Sequence, residues 1–91
     1  MDGQAVTLKI EGKLSGLNVS EMQRAWQELA VSLGQKRLVV DLRGLLHADK
    51  SGQTLLSDIH RKSAAEFLAD TPLTKYFAEQ AQQKVATDIN S

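Results

Sequence analysis

The run Arg37-Leu38-Val39-Val40-Asp41-Leu42 sets three consecutive apolar residues in a short β-branched-rich stretch. A strand with one wet face alternates apolar and polar residues. A continuous apolar run instead predicts a strand covered by helices on both faces of a parallel sheet. Helical periodicity flanks the run on both sides. Upstream, Met22, Ala25, Trp26, Leu29 and Leu33 step by three and four and stop at Gly34; downstream, Leu55, Leu56, Ile59 and Ala64 mark a second helix.

The remaining segments extend this alternation. Ala5-Val6-Thr7-Leu8-Lys9-Ile10-Glu11 places Val6, Leu8 and Ile10 on one face of a strand ending at Gly12, and residues 12–16 read as a loop. Asn18 and Ser20 each offer a helix N-cap, with Glu21 and Gln23 three residues later to close a capping box. A loop is expected from Gly44 to Gly52 and a third strand at Ala65–Ala69. Thr71-Pro72 then supplies an N-cap and a first-turn proline for a third helix carrying Leu73, Tyr76, Phe77 and Ala81. Trp26, Tyr76 and Phe77 read as core aromatics, since a base-stacking platform needs them on an exposed basic face. The expected fold is one α/β domain over residues 1–91, a small mostly parallel or mixed sheet with alternating helices. Its core runs from about 5 to 81 and its tail frays from about Gln82.

Composition narrows the function. Eleven basic and eleven acidic side chains cancel, and their interspersed signs leave no broad field for nucleic acid or an anionic membrane. The chain has no cysteine, so disulfides, thiolate nucleophiles and cysteine metal sites are excluded, which fits a reducing cytoplasm. Met1-Asp2-Gly3-Gln4 lacks a signal-peptide pattern, and no apolar run is long enough to span a bilayer. A cytoplasmic protein without membrane insertion is expected.

The densest polar loop is His47-Ala48-Asp49-Lys50-Ser51-Gly52, after the central strand and at the entry to the second helix. Ligands of open α/β sheets bind beyond the carboxyl ends of strands, and a helix start offers free N–H groups. Catalysis is nevertheless not expected there. Ser51, His47 and Asp49 lie within five positions, too close in sequence for the imidazole to sit between hydroxyl and carboxylate. His47 and Asp49 are too few ligands for a metal, and the other histidine, His60, lies on a helix beyond the loop. Gly44 and Gly52 do not build a Walker loop. Asp41 suits a turn-capping role better than that of a general base. No cofactor is expected.

The stretch Leu38-Val39-Val40-Asp41-Leu42-Arg43-Gly44-Leu45, then Asp49-Lys50-Ser51-Gly52 and Leu55-Leu56, resembles the STAS domain, the module shared by sulfate transporters and anti-sigma factor antagonists. The likeness runs from about Val6 to Phe77. It implies a non-enzymatic regulatory module of signal transduction and transcription that acts by docking on a protein such as an anti-sigma kinase. His47, Asp49, Lys50, Ser51 and Gly52 would form the partner-binding patch. In that family a serine directly after the loop aspartate is often phosphorylated; here the position holds Lys50, so the usual phospho-switch is expected to be missing. Ser51, one residue later, is better explained as an N-cap or first-turn residue than as a phosphorylation site. The chain also begins at what resembles the family's second strand, and an uncovered sheet edge would allow a homodimer. Two alternatives stand beside this reading: an accessory subunit of a transporter, and a small anion or nucleotide sensor using Lys50 and the second helix start.

Overall fold

The computed structural model describes residues 4–82. Eight elements follow one another: β1 (Ala5–Lys9), β2 (Gly12–Leu14), α1 (Leu17–Leu33), β3 (Arg37–Asp41), β4 (Leu45–Ala48), α2 (Lys50–Ser63), β5 (Glu66–Leu68) and α3 (Pro72–Gln82). The domain is α/β, and all of its strand pairs are parallel. The tail expected to fray from Gln82 lies almost wholly outside the described residues.

β1, β3 and β5 form a three-stranded sheet in that order, and β2 and β4 form a two-stranded one. The two sheets are successive stretches of the same strand paths. The Ile10 N–H donates to the Asp41 carbonyl at 3.0 Å and the Gly12 N–H to that of Gly44 at 2.9 Å, so pairing carries on across the bend between them. Two segments expected as loops are therefore strands in part: Gly12–Leu14 pairs with Leu45–Ala48. Their shortness explains why periodicity does not reveal them, since alternation needs four residues or more to register.

A bulge in β4 hides its pattern further. Gly12 is opposite Leu45 and Lys13 is opposite His47, so Leu46 is an extra residue without a partner. Leu45 and Ala48 are both buried although three positions apart, a spacing no regular strand allows, and Leu46 is 68% exposed.

One face of the main sheet carries the core. Val6, Leu8 and Ile10 line up beside Leu38, Val40 and Leu42, with Phe67 beyond. They pack under Trp26 and Leu33 of α1, Leu55, Leu56 and Ile59 of α2, and Phe77, Ala78 and Ala81 of α3. The opposite face shows Ala5, Thr7, Lys9, Arg37 and Glu66 to solvent, with an exposed Arg37–Glu66 ion pair at 3.7 Å. The expectation of helices on both faces of β3 is thus corrected. Val39, the residue that makes the run continuous, sits half-buried on the face that no helix among the described residues covers.

The helix ends also differ from expectation. α1 starts earlier than Asn18 or Ser20 would place it, with Gly16 as N-cap at φ 56° and no side-chain cap. Asn18 instead donates its Nδ2 to the Lys13 carbonyl at 3.0 Å. Ala64 is not part of α2 but its left-handed C-cap at φ 54°, and its N–H donates to the His60 carbonyl. Thr71 caps α3 as expected: its Oγ1 accepts from the Thr74 N–H at 3.1 Å. On α3, Phe77 is buried but Tyr76 is 50% exposed and Leu73 is 44% exposed. The inward stripe of α3 is Thr74, Phe77, Ala78 and Ala81, so Tyr76 is a surface residue and not core.

Candidate functional site

The β4–α2 junction is organised by Asp49. Ala48 is buried in the core, and the Asp49 N–H donates to the Leu14 carbonyl at 3.2 Å, continuing the β2–β4 ladder by one residue. Asp49 is then the N-cap of α2. Its Oδ1 accepts the Gly52 N–H at 2.8 Å, the usual bond of an N-cap carboxylate to the third helical residue. Its Oδ2 accepts the Gly16 N–H at 3.3 Å. One carboxylate therefore ties the starts of α1 and α2 together, in place of the side-chain cap that α1 lacks.

Gly52 makes that junction possible. It is buried, and a Cβ there would stand 2.3 Å from the Leu14 carbonyl oxygen and 3.0 Å from the Leu14 Cγ. The first turn of α2 can approach the β2 backbone this closely only without a side chain.

Lys50 and Ser51 occupy the outer side of the same turn, and both are exposed. Ser51 lies inside the helix, not at its cap. With Gly16, Val19, Ser20 and Gln23 on one wall, and Thr54, Leu55 and Asp58 on the other, they line an open groove of about 580 Å³ between α1 and α2. Val19 and Leu55 give it an apolar floor, the hydroxyls and Gln23 supply donors and acceptors, and Lys50 sits at the α2 start. Neither helix has an acidic residue in its first turn; the negative charge at both helix starts is the Asp49 carboxylate, bonded to the Gly52 and Gly16 N–H groups.

The five residues singled out from the sequence thus divide into three sets. Lys50 and Ser51 face the groove. Asp49 and Gly52 are turned inward and build the turn. His47 precedes inward-facing Ala48 on β4 and is exposed beside its register partner Lys13, which puts it on the open face of the sheet. The structure does not bring His47 together with Ser51, and both Asp49 oxygens are already engaged by backbone N–H groups. His60 stacks on Phe67 with ring centroids 6.1 Å apart. Among the described residues no three His, Asp or Glu side chains gather as a metal site would require.

Asp41 has the turn role expected of it. Its Oδ1 accepts the Arg43 N–H and the Arg43 Nε, both at 3.0 Å, and its Oδ2 accepts Arg43 Nη2 at 3.1 Å. The Arg43 side-chain bonds, then the Arg43 backbone N–H, hold the carboxyl down at about 2, against a smaller opposing cost of burial. A carboxyl held that low is a weak base, poorly matched to proton abstraction near neutral pH.

The α1 wall of the groove, from Gly16 to Gln23, was not visible as part of a site in the sequence. The only local signal is Gly16 itself, a glycine directly before an apolar-periodic segment. No helix among the described residues is long and apolar enough to cross a membrane. No model of a known protein family matches the chain, and no curated protein matches it.

Proposed function

We propose that this chain is a non-enzymatic protein-binding regulatory module, similar in mode to an anti-sigma factor antagonist, that docks a partner in the groove between α1 and α2. The observation that carries this reading is the arrangement of Lys50 and Ser51 at the head of that groove. They stand on a turn whose geometry is maintained by Asp49 and Gly52, over an apolar floor of Val19 and Leu55. Rigid support beneath an exposed charge and an apolar strip suits recognition, because the binding groups need no reordering when the partner arrives. The positive charge of the exposed Lys50 at the head of the groove favours a partner segment that brings a carboxylate to it. Since the loop position that carries the phosphoserine in STAS domains is Lys50, docking here would be constitutive and not switched by a serine kinase.

The test is capture from native extract with wild type and Lys50→Glu side by side, followed by calorimetry of the purified partner against both. Binding by wild type at least tenfold tighter than by the variant, to a kinase-like or transcription-regulating protein, supports the reading. Equal binding retires the groove as the docking surface. Recovery of membrane or ATPase components with the same Lys50 dependence would instead assign the chain to a transporter. A thermal shift with phosphate, sulfate or nucleotides, lost in Lys50→Glu, would favour the anion sensor.

A further inference from the structure

Among the described residues the edge of the main sheet formed by β1 is open and self-complementary, and we infer that two copies of this chain pair there as antiparallel strands centred on Thr7. The direction of the free backbone groups follows from the ladder. The Gln4 carbonyl accepts from the Arg37 N–H and the Ile10 N–H donates to the Asp41 carbonyl, so even-numbered residues of β1 aim their backbone groups at β3. In a strand the neighbours point the other way. Ala5, Thr7 and Lys9 therefore present their N–H and C=O groups outward along the edge, and no hydrogen bond among the described residues occupies them.

Two other stretches of the sheet margins offer less to an added strand. Along the β2 continuation of the same edge, Asn18 Nδ2 takes the Lys13 carbonyl. At the far side β5 has only three residues, and the short segment Ala69-Asp70-Thr71 then leads into α3. Short edges and side chains folded over the backbone are common protections against strand addition, and β1 has neither.

A two-fold pairing centred on Thr7 sets Thr7 opposite its own copy and Ala5 opposite Lys9 of the partner, so every outward donor and acceptor of β1 is used. Side-chain chemistry agrees with that register. On the core face, half-buried Val6 meets Leu8 of the other copy, extending the apolar layer across the two-fold axis. On the open face Lys9 meets alanine and not another lysine, and it keeps its Glu11 ion pair at 3.2 Å. Pairing two residues further along would set Lys9 against Lys9. A contact made mainly of one strand from each copy buries less than the roughly 1,200 Å² typical of stable complexes. The dimer is therefore weak and concentration-dependent.

Because the chain has no cysteine, single substitutions report the register directly. Hydrogen-bonded antiparallel partners have Cα atoms about 5.5 Å apart, within disulfide reach. Thr7→Cys should therefore cross-link to a covalent dimer under mild oxidation. Ala5→Cys and Lys9→Cys, each offset from its own copy by four residues or about 13 Å, should not. In sedimentation equilibrium, wild type should approach dimer mass at on the order of 1 mM. Thr7→Pro should remain monomeric, since it removes an outward N–H and leaves the β1–β3 ladder intact. If that variant loses its far-UV circular dichroism, the exposed Thr7→Lys, which sets like charges opposite each other, reads the same contact. A monomeric wild type throughout this range, equal cross-linking at the three positions, or a dimer indifferent to both Thr7→Pro and Thr7→Lys would overturn the inference.

Discussion

Substituting Gly52 by alanine should unfold the β4–α2 junction from within, although the same change in an isolated helix is stabilising. Two effects oppose each other. Alanine gains about 1 kcal/mol over glycine inside a helix. Against this, the added Cβ would lie 2.3 Å from the Leu14 carbonyl oxygen and 3.0 Å from the Leu14 Cγ, where ordinary contact requires more than 3.4 Å. The first turn of α2 must withdraw by roughly 1 Å to relieve this, an overpacking cost of about 1–3 kcal/mol. That shift also lengthens the Asp49 N–H bond to Leu14, already at 3.2 Å, and threatens the Asp49 carboxylate bonds to Gly52 and Gly16, for about 1–2 kcal/mol more. The net expectation is a loss of about 2–3 kcal/mol. For a domain of this size that lowers Tm by roughly 10–20 °C. Thermal unfolding followed by circular dichroism measures it. A Leu14→Ala partner mutation should not restore stability, because the nearest obstacle is main-chain oxygen and not the leucine side chain. A Gly52→Ala protein melting at or above wild type would refute the close-approach argument.

Lys50→Glu should raise stability by about 0.3–1 kcal/mol while weakening partner binding, because a carboxylate suits the positive end of α2 better than an ammonium does; a fall in Tm would show that Lys50 has a structural role instead. Asp49→Ala should cost about 1–2 kcal/mol, the range for losing an N-cap, and slow-exchange protection of both the Gly16 and Gly52 amides should fall together in hydrogen exchange. Ala64→Gly should stabilise by about 1 kcal/mol, since a left-handed C-cap strains alanine and not glycine, as urea unfolding would register. Asp41 titrates at about 2 in the fold against an ordinary value of 3.8. Its contribution to stability is therefore complete above pH 3.8 and is lost as pH falls through about 2. In Arg43→Met the Asp41 carboxyl should titrate higher than in wild type by NMR, with the backbone N–H of residue 43 still holding it down in part; an unchanged titration would break the link to the Arg43 side chain.

Hydrophobic periodicity alone specifies the α/β class, the order of the longer elements and most of the core. Val6, Leu8, Leu38, Val40, Leu55, Leu56, Ile59 and Phe77 announce themselves because burial of one face imposes a period of two or of 3.6 on any stretch long enough to show it. Asp41 as a turn residue and Thr71 as a cap were equally legible, since their partners lie within three positions in the chain. Tertiary structure decided the rest. β2 and β4 exist because each finds the other from about thirty residues away, and a bulge at Leu46 erases the alternation that would have revealed them. Which side of β3 is covered depends on where α1 and α2 cross, a choice that an apolar run of three residues cannot express. The five polar residues of the β4–α2 junction are contiguous in sequence, yet strand pairing and the helix turn send His47 to the open face, Asp49 and Gly52 inward, and Lys50 and Ser51 to the groove. The opposite wall of that groove comes from α1 because Asp49 reaches across to the Gly16 N–H, a contact between residues thirty-three positions apart that only the folded chain can make.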